Sequence, residues 1–258
     1  AMISDAVHSA SDVFSSIIVI IGVKLAAKNS DKEHPYGHER LECVAAIVLA
    51  EVLLITGLFI GESTVNTLFS GALESKPMPG RLALIAAAVS IVIKEAMFWY
   101  TRYYGKKLDS GAVMADAWHH RSDALSSIGA LIGIAGARLG YAVLEPIASL
   151  VIVLFIFKAS LDIFKDAVDK MVDHSCDDST ESEIRGCAGS MEGVKGVDLL
   201  RTRIFGNKIY VDIEIKVDGR KTLIEGHRIA ENVHAEIESR FPKVKHIMVH
   251  VNPDTEEK

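Results

Sequence analysis

Two stretches of the chain repeat one pattern of polar residues. Residues 5–17 read DAVHSASDVFSSI, and residues 116–128 read DAWHHRSDALSSI. Eight of the thirteen positions are identical, and they include two aspartates, a histidine and several serines. Chance similarity between two apolar helices would match alanine, leucine and valine instead. The repeat therefore predicts two related membrane helices that build one site.

The spacing inside the repeat predicts where its ionisable side chains lie. His8 and Asp12 are four residues apart, so they project from one helix face. His119 and Asp123 have the same spacing. Two such helices packed together would offer two imidazoles and two carboxylates, a ligand set that suits tetrahedral Zn²⁺.

An alternative explanation is that these polar residues only join helices, as the serines of the repeat commonly do. The His/Asp pairs differ, because an ionisable residue at membrane depth costs about 2.5 kcal/mol or more and usually marks an ion pathway. Asp5 and Asp116 are predicted to orient an imidazole. Lys94 and Glu95 interrupt the third apolar stretch and are predicted to pair with other charges.

Composition divides the 258-residue chain into two parts. The first, residues 1–172, is predicted to be an α-helical polytopic membrane domain, because five apolar stretches reach the length of about 17 to 25 residues that a bilayer requires. Residues 173–258 are predicted to form a cytoplasmic α+β domain. The five stretches are roughly 2–27, 41–69, 80–103, 112–139 and 143–168.

Basic residues in the connections predict the orientation of the membrane domain. The 28–40 and 102–107 loops and the exit from the last stretch carry eight Lys and Arg residues, against three on the opposite side. An excess of Lys and Arg marks the cytoplasmic side, so the C-terminal domain is expected there. We expect an integral protein of a prokaryotic inner or plasma membrane.

Periodicity in the C-terminal part predicts the order helix, strand, strand, helix, strand. The clearest strand is 209–217, where apolar and polar residues alternate, and the clearest helix runs from 223 to 241. A small α+β sandwich with one helical layer is the expected fold. The net charge of −6, with no basic stripe, argues against a nucleic-acid partner.

A third motif, HPYGHERLE at residues 34–42, follows the first apolar stretch. With the two H-x-x-x-D helices and the small C-terminal domain, it makes the whole chain resemble the cation diffusion facilitators, a family of metal/proton antiporters. The resemblance implies a homodimer in the lipid bilayer. Such a protein exports a divalent transition metal from the cytoplasm, takes protons as counter-ion, and is a secondary active transporter, not an enzyme.

Family members normally have six spans, and their motif helices are the second and fifth. Here the motif helices are the first and fourth of five. The resemblance therefore predicts that the native gene product carries a further span of about 25 or more residues before residue 1.

The resemblance also implies metal sites outside the membrane helices. In the loop, Asp31, His34 and His38 would be ligands, with Glu33 as a nearby carboxylate; the alternative is a charged surface turn. In the cytoplasmic domain, a weaker mixed site is expected, or else packing histidines on the helix. Its candidate ligands are Asp198, Asp212, Glu214, His227 and His250.

Ligand chemistry ranks the metals. Two histidines and two carboxylates favour Zn²⁺ as the transported substrate, with Co²⁺, Cd²⁺ and Fe²⁺ tolerated and Mn²⁺ ranked lower. No organic cofactor is expected. Two other classes use the same ligands: a membrane metalloenzyme, which would need an open coordination position and a separate base, and a membrane metal sensor.

The resemblance further implies that Arg40 and Asp173 form a charge pair that interlocks the membrane and cytoplasmic parts. Charge reversal at Arg40 is expected to reduce transport, because it would place two like charges together. A second reversal at Asp173 should restore transport in proteoliposomes. Failure of the double reversal to rescue would show that the two charges act independently.

Overall fold

The structure, a computed structural model, describes residues 15–69, 81–138 and 144–254. The chain divides into two compact units, Ala1–Val168 and Asp169–Lys258. The first unit is helical and the second combines helices with a sheet. The predicted fold class, a helical membrane domain with a small α+β domain, is confirmed.

Five helices form the described part of the first unit and overlap the five predicted spans. Helix α1 is Ser15–Ala26, and α2 is Arg40–Phe69. Helix α3 is Arg81–Leu108, α4 is Gly111–Arg138 and α5 is Leu144–Met171.

The break between α3 and α4 is two residues long. Asp109 has a φ of 53°, a left-handed conformation that cannot continue a right-handed helix. Ser110 then caps α4, since its hydroxyl oxygen accepts a hydrogen bond from the Val113 N–H at 3.2 Å. The short turn packs α3 against the motif helix α4.

Four of the helices share one buried apolar cluster. It contains Val19 of α1, Leu53 of α2, Ala115 of α4 and Ile156 of α5. The Ser160 hydroxyl donates a buried hydrogen bond of 3.1 Å to the Ala50 carbonyl, which joins α5 to α2.

Many large apolar side chains on these helices point outward. Phe59, Val92 and Leu154 are each about two-thirds exposed, at 67%, 68% and 68%. Water would disfavour such a surface, whereas lipid tails solvate it. Helix Arg40–Phe69 and the segment Pro146–Met171 are long and apolar enough to cross a bilayer by length and composition.

The second unit has the predicted order of elements. Helix α6 is Asp178–Gly189, β1 is Gly196–Phe205, β2 is Lys208–Asp218, α7 is Leu223–Arg240 and β3 is Val244–Asp254. The sheet order is β1-β2-β3, with β1 antiparallel and β3 parallel to β2. Helix α7 makes the crossover that a parallel pair requires.

Strand β2 forms the centre of the soluble core. Val211, Ile213 and Ile215 are at most 1% exposed and pack in one cluster with Ile184 of α6 and Val233 of α7. The predicted alternation is confirmed, because the intervening residues of β2 lie on the other face of the sheet. That second face, which we call the open face, carries most of the predicted cytoplasmic ligands.

Gly22 marks the closest approach of α1 and α2. A Cβ added there would lie 2.4 Å from the Ala45 Cβ, which is fixed to its backbone and cannot swing away. We expect Gly22→Ala to destabilise the protein by about 1 to 3 kcal/mol, although alanine is the better helix former. Thermal unfolding in detergent measures this.

Gly61→Ala is the matched control. Its Cβ would meet the Val153 side chain at 3.5 Å, an ordinary contact. It should keep or slightly raise the unfolding temperature. Equal loss of stability in both variants would contradict the close approach of α1 and α2.

Candidate metal sites

Helix α4 carries the second copy of the repeated motif in the interior of the first unit. His119 and Asp123 are both 4% exposed, and Asp116 is 8% exposed. Because His119 and Asp123 are one helical turn apart, a nitrogen ligand and an oxygen ligand are buried next to each other.

The first copy of the motif lies mostly outside the described residues. His8, Asp12 and Asp5 therefore have no geometry to compare with the prediction. The described part of α1 starts at Ser15, within this copy of the motif, and its Val19 packs in the same buried cluster as Ala115 of α4. The helix that continues from the first motif thus shares a core with the second.

Two ion pairs join α3 to α4. The Lys94 Nζ lies 3.1 Å from an Asp123 carboxylate oxygen, and the Arg121 guanidinium lies 2.9 Å from the Glu95 carboxylate. The Arg121 guanidinium also stacks 4.6 Å from the centre of the Phe98 ring. The prediction that Lys94 and Glu95 pair with other charges is confirmed. The sequence did not reveal that the partner of Lys94 is Asp123, a predicted metal ligand.

Asp116 meets a different imidazole from the one predicted to bind metal. Its carboxylate oxygen lies 3.6 Å from the Nε2 of His120, one turn along α4. Both residues are buried. His120 was not predicted as a ligand, and this contact gives it a partner of its own.

The loop between α1 and α2 brings its three predicted ligands together. Among the residues that the structure describes, Asp31, His34 and His38 are the one group of three or more His, Cys, Asp or Glu residues whose ligand atoms all lie within 4.8 Å of each other. Each histidine has a ring nitrogen 3.4 Å from a carboxylate oxygen of Asp31. Glu33 is not part of the group.

Backbone geometry explains why the loop has this sequence. Asp31 accepts hydrogen bonds from the backbone N–H groups of Glu33 and His34, at 3.1 and 2.8 Å. Gly37 has a φ of 104°, a conformation that strains any residue with a Cβ. The turn at Gly37 allows His38 to fold back against Asp31, where it is 6% exposed.

The Asp31 carboxylate of the loop is held in its ionised form. Lys28 donates a hydrogen bond of 2.7 Å to the Asp31 carboxylate. This bond, together with the backbone bond from His34, holds the pKa of Asp31 well below its usual range. The carboxylate is therefore ionised wherever a histidine is neutral and able to bind a metal.

In the second unit, two of the predicted ligands meet through an asparagine on the open face. The Asn252 amide donates to Asp198 at 3.1 Å and to Glu214 at 3.0 Å. His250 stands opposite Glu214 in the β2–β3 register. Asp212 lies two residues before Glu214 on β2, so its side chain is on the same face of the sheet.

Lys216 supplies a cation to this open-face group. Its Nζ lies 3.0 Å from an Asp198 carboxylate oxygen. The contact lowers the pKa of Asp198 and raises the pKa of Lys216. The sequence did not reveal that Lys216 pairs with the Asp198 carboxylate, because Lys216 is two residues from Glu214 and eighteen from Asp198.

His227 lies on α7, which packs on the core face of the sheet, whereas the open-face residues lie on the other side of the strands. His227 belongs to the helical layer, is 70% exposed, and pairs with Glu231 at 3.2 Å. It is thus not a packing histidine of the apolar stripe.

The predicted charge pair joins residues of different units. Arg40 is the first residue of α2 in the first unit, and Asp173 follows α5 in the second.

Family comparison decides the class of protein. A family model described as "Cation efflux transmembrane domain" matches residues 1–172, and one described as "Cation efflux protein, cytoplasmic domain" matches residues 176–254. The chain belongs to the cation efflux family. The resemblance to cation diffusion facilitators is thereby confirmed.

Similar curated members of the cation efflux family come from plants and bacteria. Metal tolerance protein C1 of Arabidopsis thaliana is 37% identical over 98% of this chain, which spans 56% of that protein. The manganese efflux system protein MneP of Bacillus subtilis is 31% identical over 100% of this chain and 88% of its own length. Magnetosome protein MamB of a Magnetospira species is 29% identical, over 98% and 85%.

Solved structures similar to this cation efflux protein include C-terminal domains. The nickel form of a MamM C-terminal domain is 26% identical and covers 31% of this chain and 100% of that one, with a TM-score of 0.30.

Proposed function

We propose that this chain is a membrane transporter that exports a divalent transition metal from the cytoplasm in exchange for protons. The observation that carries the proposal is the buried pair His119 and Asp123 on α4, whose sequence is repeated at His8 and Asp12. Ionisable residues buried among membrane helices usually mark an ion pathway.

Proton exchange follows from the chemistry of the ligands. A histidine binds a metal only when it is neutral, so protons and metal compete for the same nitrogen. Release of the metal to an acidic side would leave a protonated site that returns inward. Packing of α1 and α4 in one buried cluster supports a site between helix groups that can rock against each other.

Zn²⁺ is the first candidate substrate, because two nitrogens and two carboxylates match its tetrahedral preference. Mn²⁺ or Fe²⁺ is the second candidate, favoured by a relative named for manganese efflux and others named for magnetosomes. A sensor or a metalloenzyme is less well supported, since the family models describe efflux proteins.

The loop and the cytoplasmic unit add to this function in different ways. Asp31, His34 and His38 form a second metal site that captures or regulates, and their close grouping supports it. The cytoplasmic unit joins two copies of the chain into a homodimer. Any metal site that includes His227 and the open-face carboxylates of this unit would need ligands from both copies, because one copy holds them in different layers.

The transport site is tested by His119→Ala in proteoliposomes loaded with a zinc-sensitive dye and a pH dye. We expect zinc uptake and the opposite proton movement to fall together by more than about tenfold, since even groups that only orient a metal ligand are worth about 10 to 100-fold. His120→Gln, the neighbouring buried histidine, is the matched control and should retain most of the flux. Intact zinc flux in His119→Ala would overturn the assignment.

The loop site is tested by Asp31→Asn, which keeps the size of the side chain and removes its charge. Calorimetric titration of the full chain with Zn²⁺ should lose one class of bound metal, because the remaining two histidines make a weak pair of ligands. Glu33→Gln removes an adjacent carboxylate outside the group and should leave the titration unchanged. Equal losses in both variants would reduce the loop to a charged turn.

A further inference from the structure

We propose that Lys94 is a tethered cation of the transport site. Its ammonium occupies the Asp123 carboxylate while the site is empty, and the transported metal has to displace it. The inference rests on the proposed function, because Asp123 is a transport ligand only in that proposal.

The contact is close and sheltered. The Lys94 Nζ and an Asp123 carboxylate oxygen are 3.1 Å apart, and the two side chains are 18% and 4% exposed. Lys94 reaches this oxygen from the neighbouring helix α3, not from the motif helix itself. A partly buried contact is screened less by salt than a surface pair, so the ammonium competes for that oxygen.

Neighbouring contacts hold Lys94 in register with Asp123. The adjacent residue Glu95 pairs with Arg121, two positions before Asp123, at 2.9 Å. Near the turn, a Cβ on Gly105 would lie 3.2 Å from the Met114 backbone nitrogen, so α3 and α4 approach closely. Two positive and two negative charges thus face each other across one helix pair.

A metal and the Lys94 ammonium cannot both make a close contact with this Asp123 oxygen. Zinc binds a carboxylate oxygen at about 2 Å, which would bring two positive charges within a few ångströms of each other. Metal entry therefore separates Lys94 from Asp123, and metal release lets the ammonium return. The empty site avoids a bare buried carboxylate, and the loaded site holds its metal less tightly than the ligands alone would.

A purely structural ion pair predicts the opposite effect of removing the lysine. If Lys94 only supports Asp123, its loss should disturb the site and weaken metal binding. If Lys94 competes with the metal, its loss should strengthen metal binding. The sign of the change separates the two roles.

The test is Lys94→Met in the full chain, placed in the Asp31→Asn background so that the loop contributes no binding. Calorimetric titration with Zn²⁺ in detergent should give a dissociation constant about tenfold or more lower than that of the background, because one nearby positive charge is gone. Added Zn²⁺ should also raise the unfolding temperature further than it does in the background. Lys107→Met removes the same charge from an exposed position on α3 and should change neither quantity.

Two outcomes are decisive. Unchanged or weaker zinc binding by folded Lys94→Met overturns the tethered-cation role. Where that variant does not fold, Lys94→Gln replaces it, since its neutral amide also removes the charge but keeps a polar group beside Asp123, and the same comparison applies. Asp123→Asn in the same background should remove the class of bound Zn²⁺ whose affinity Lys94→Met changes; if it does not, the proposed transport site itself fails.

Discussion

Burying a carboxylate is the constraint on which the rest of the helical unit depends. Asp123 is almost fully removed from solvent in a bundle whose outer surface is apolar, so its ionised form is stable there only beside a positive charge. Lys94 supplies that partner from α3, and the two-residue turn at Asp109 and Ser110 keeps α3 against α4. The turn that packs α3 against α4 is therefore also what places a positive charge beside Asp123.

The same solution recurs at the other candidate sites. Lys28 holds Asp31 in the loop, Lys94 holds Asp123 in the bundle, and Lys216 holds Asp198 on the open face of the sheet. In each case an ammonium lies against a carboxylate that is a proposed metal ligand. The cost of displacing it differs with exposure, because solvent screens the loop and sheet pairs and hardly screens the buried one.

The surfaces of the two units suit different solvents. The helices of the first unit expose large apolar side chains outward and keep His119 and Asp123 inside, which suits lipid. The second unit buries the apolar residues of β2 beneath α6 and α7 and exposes charged residues on its helices and on the open face, as a protein in water does. This inversion explains why composition alone separated the chain into two parts.

Periodicity and repetition in the sequence predicted the five helices and the order of the soluble elements, because these depend on short spacings along the chain. The three candidate ligands of the loop followed instead from the motif that resembles the family. Tertiary structure decided which charges meet. Lys94 and Asp123 are 29 residues apart, and Asp198 and Asn252 are 54 apart, so no local pattern could pair them. Their contacts follow from helix and strand packing, and packing selects which carboxylates receive an ammonium.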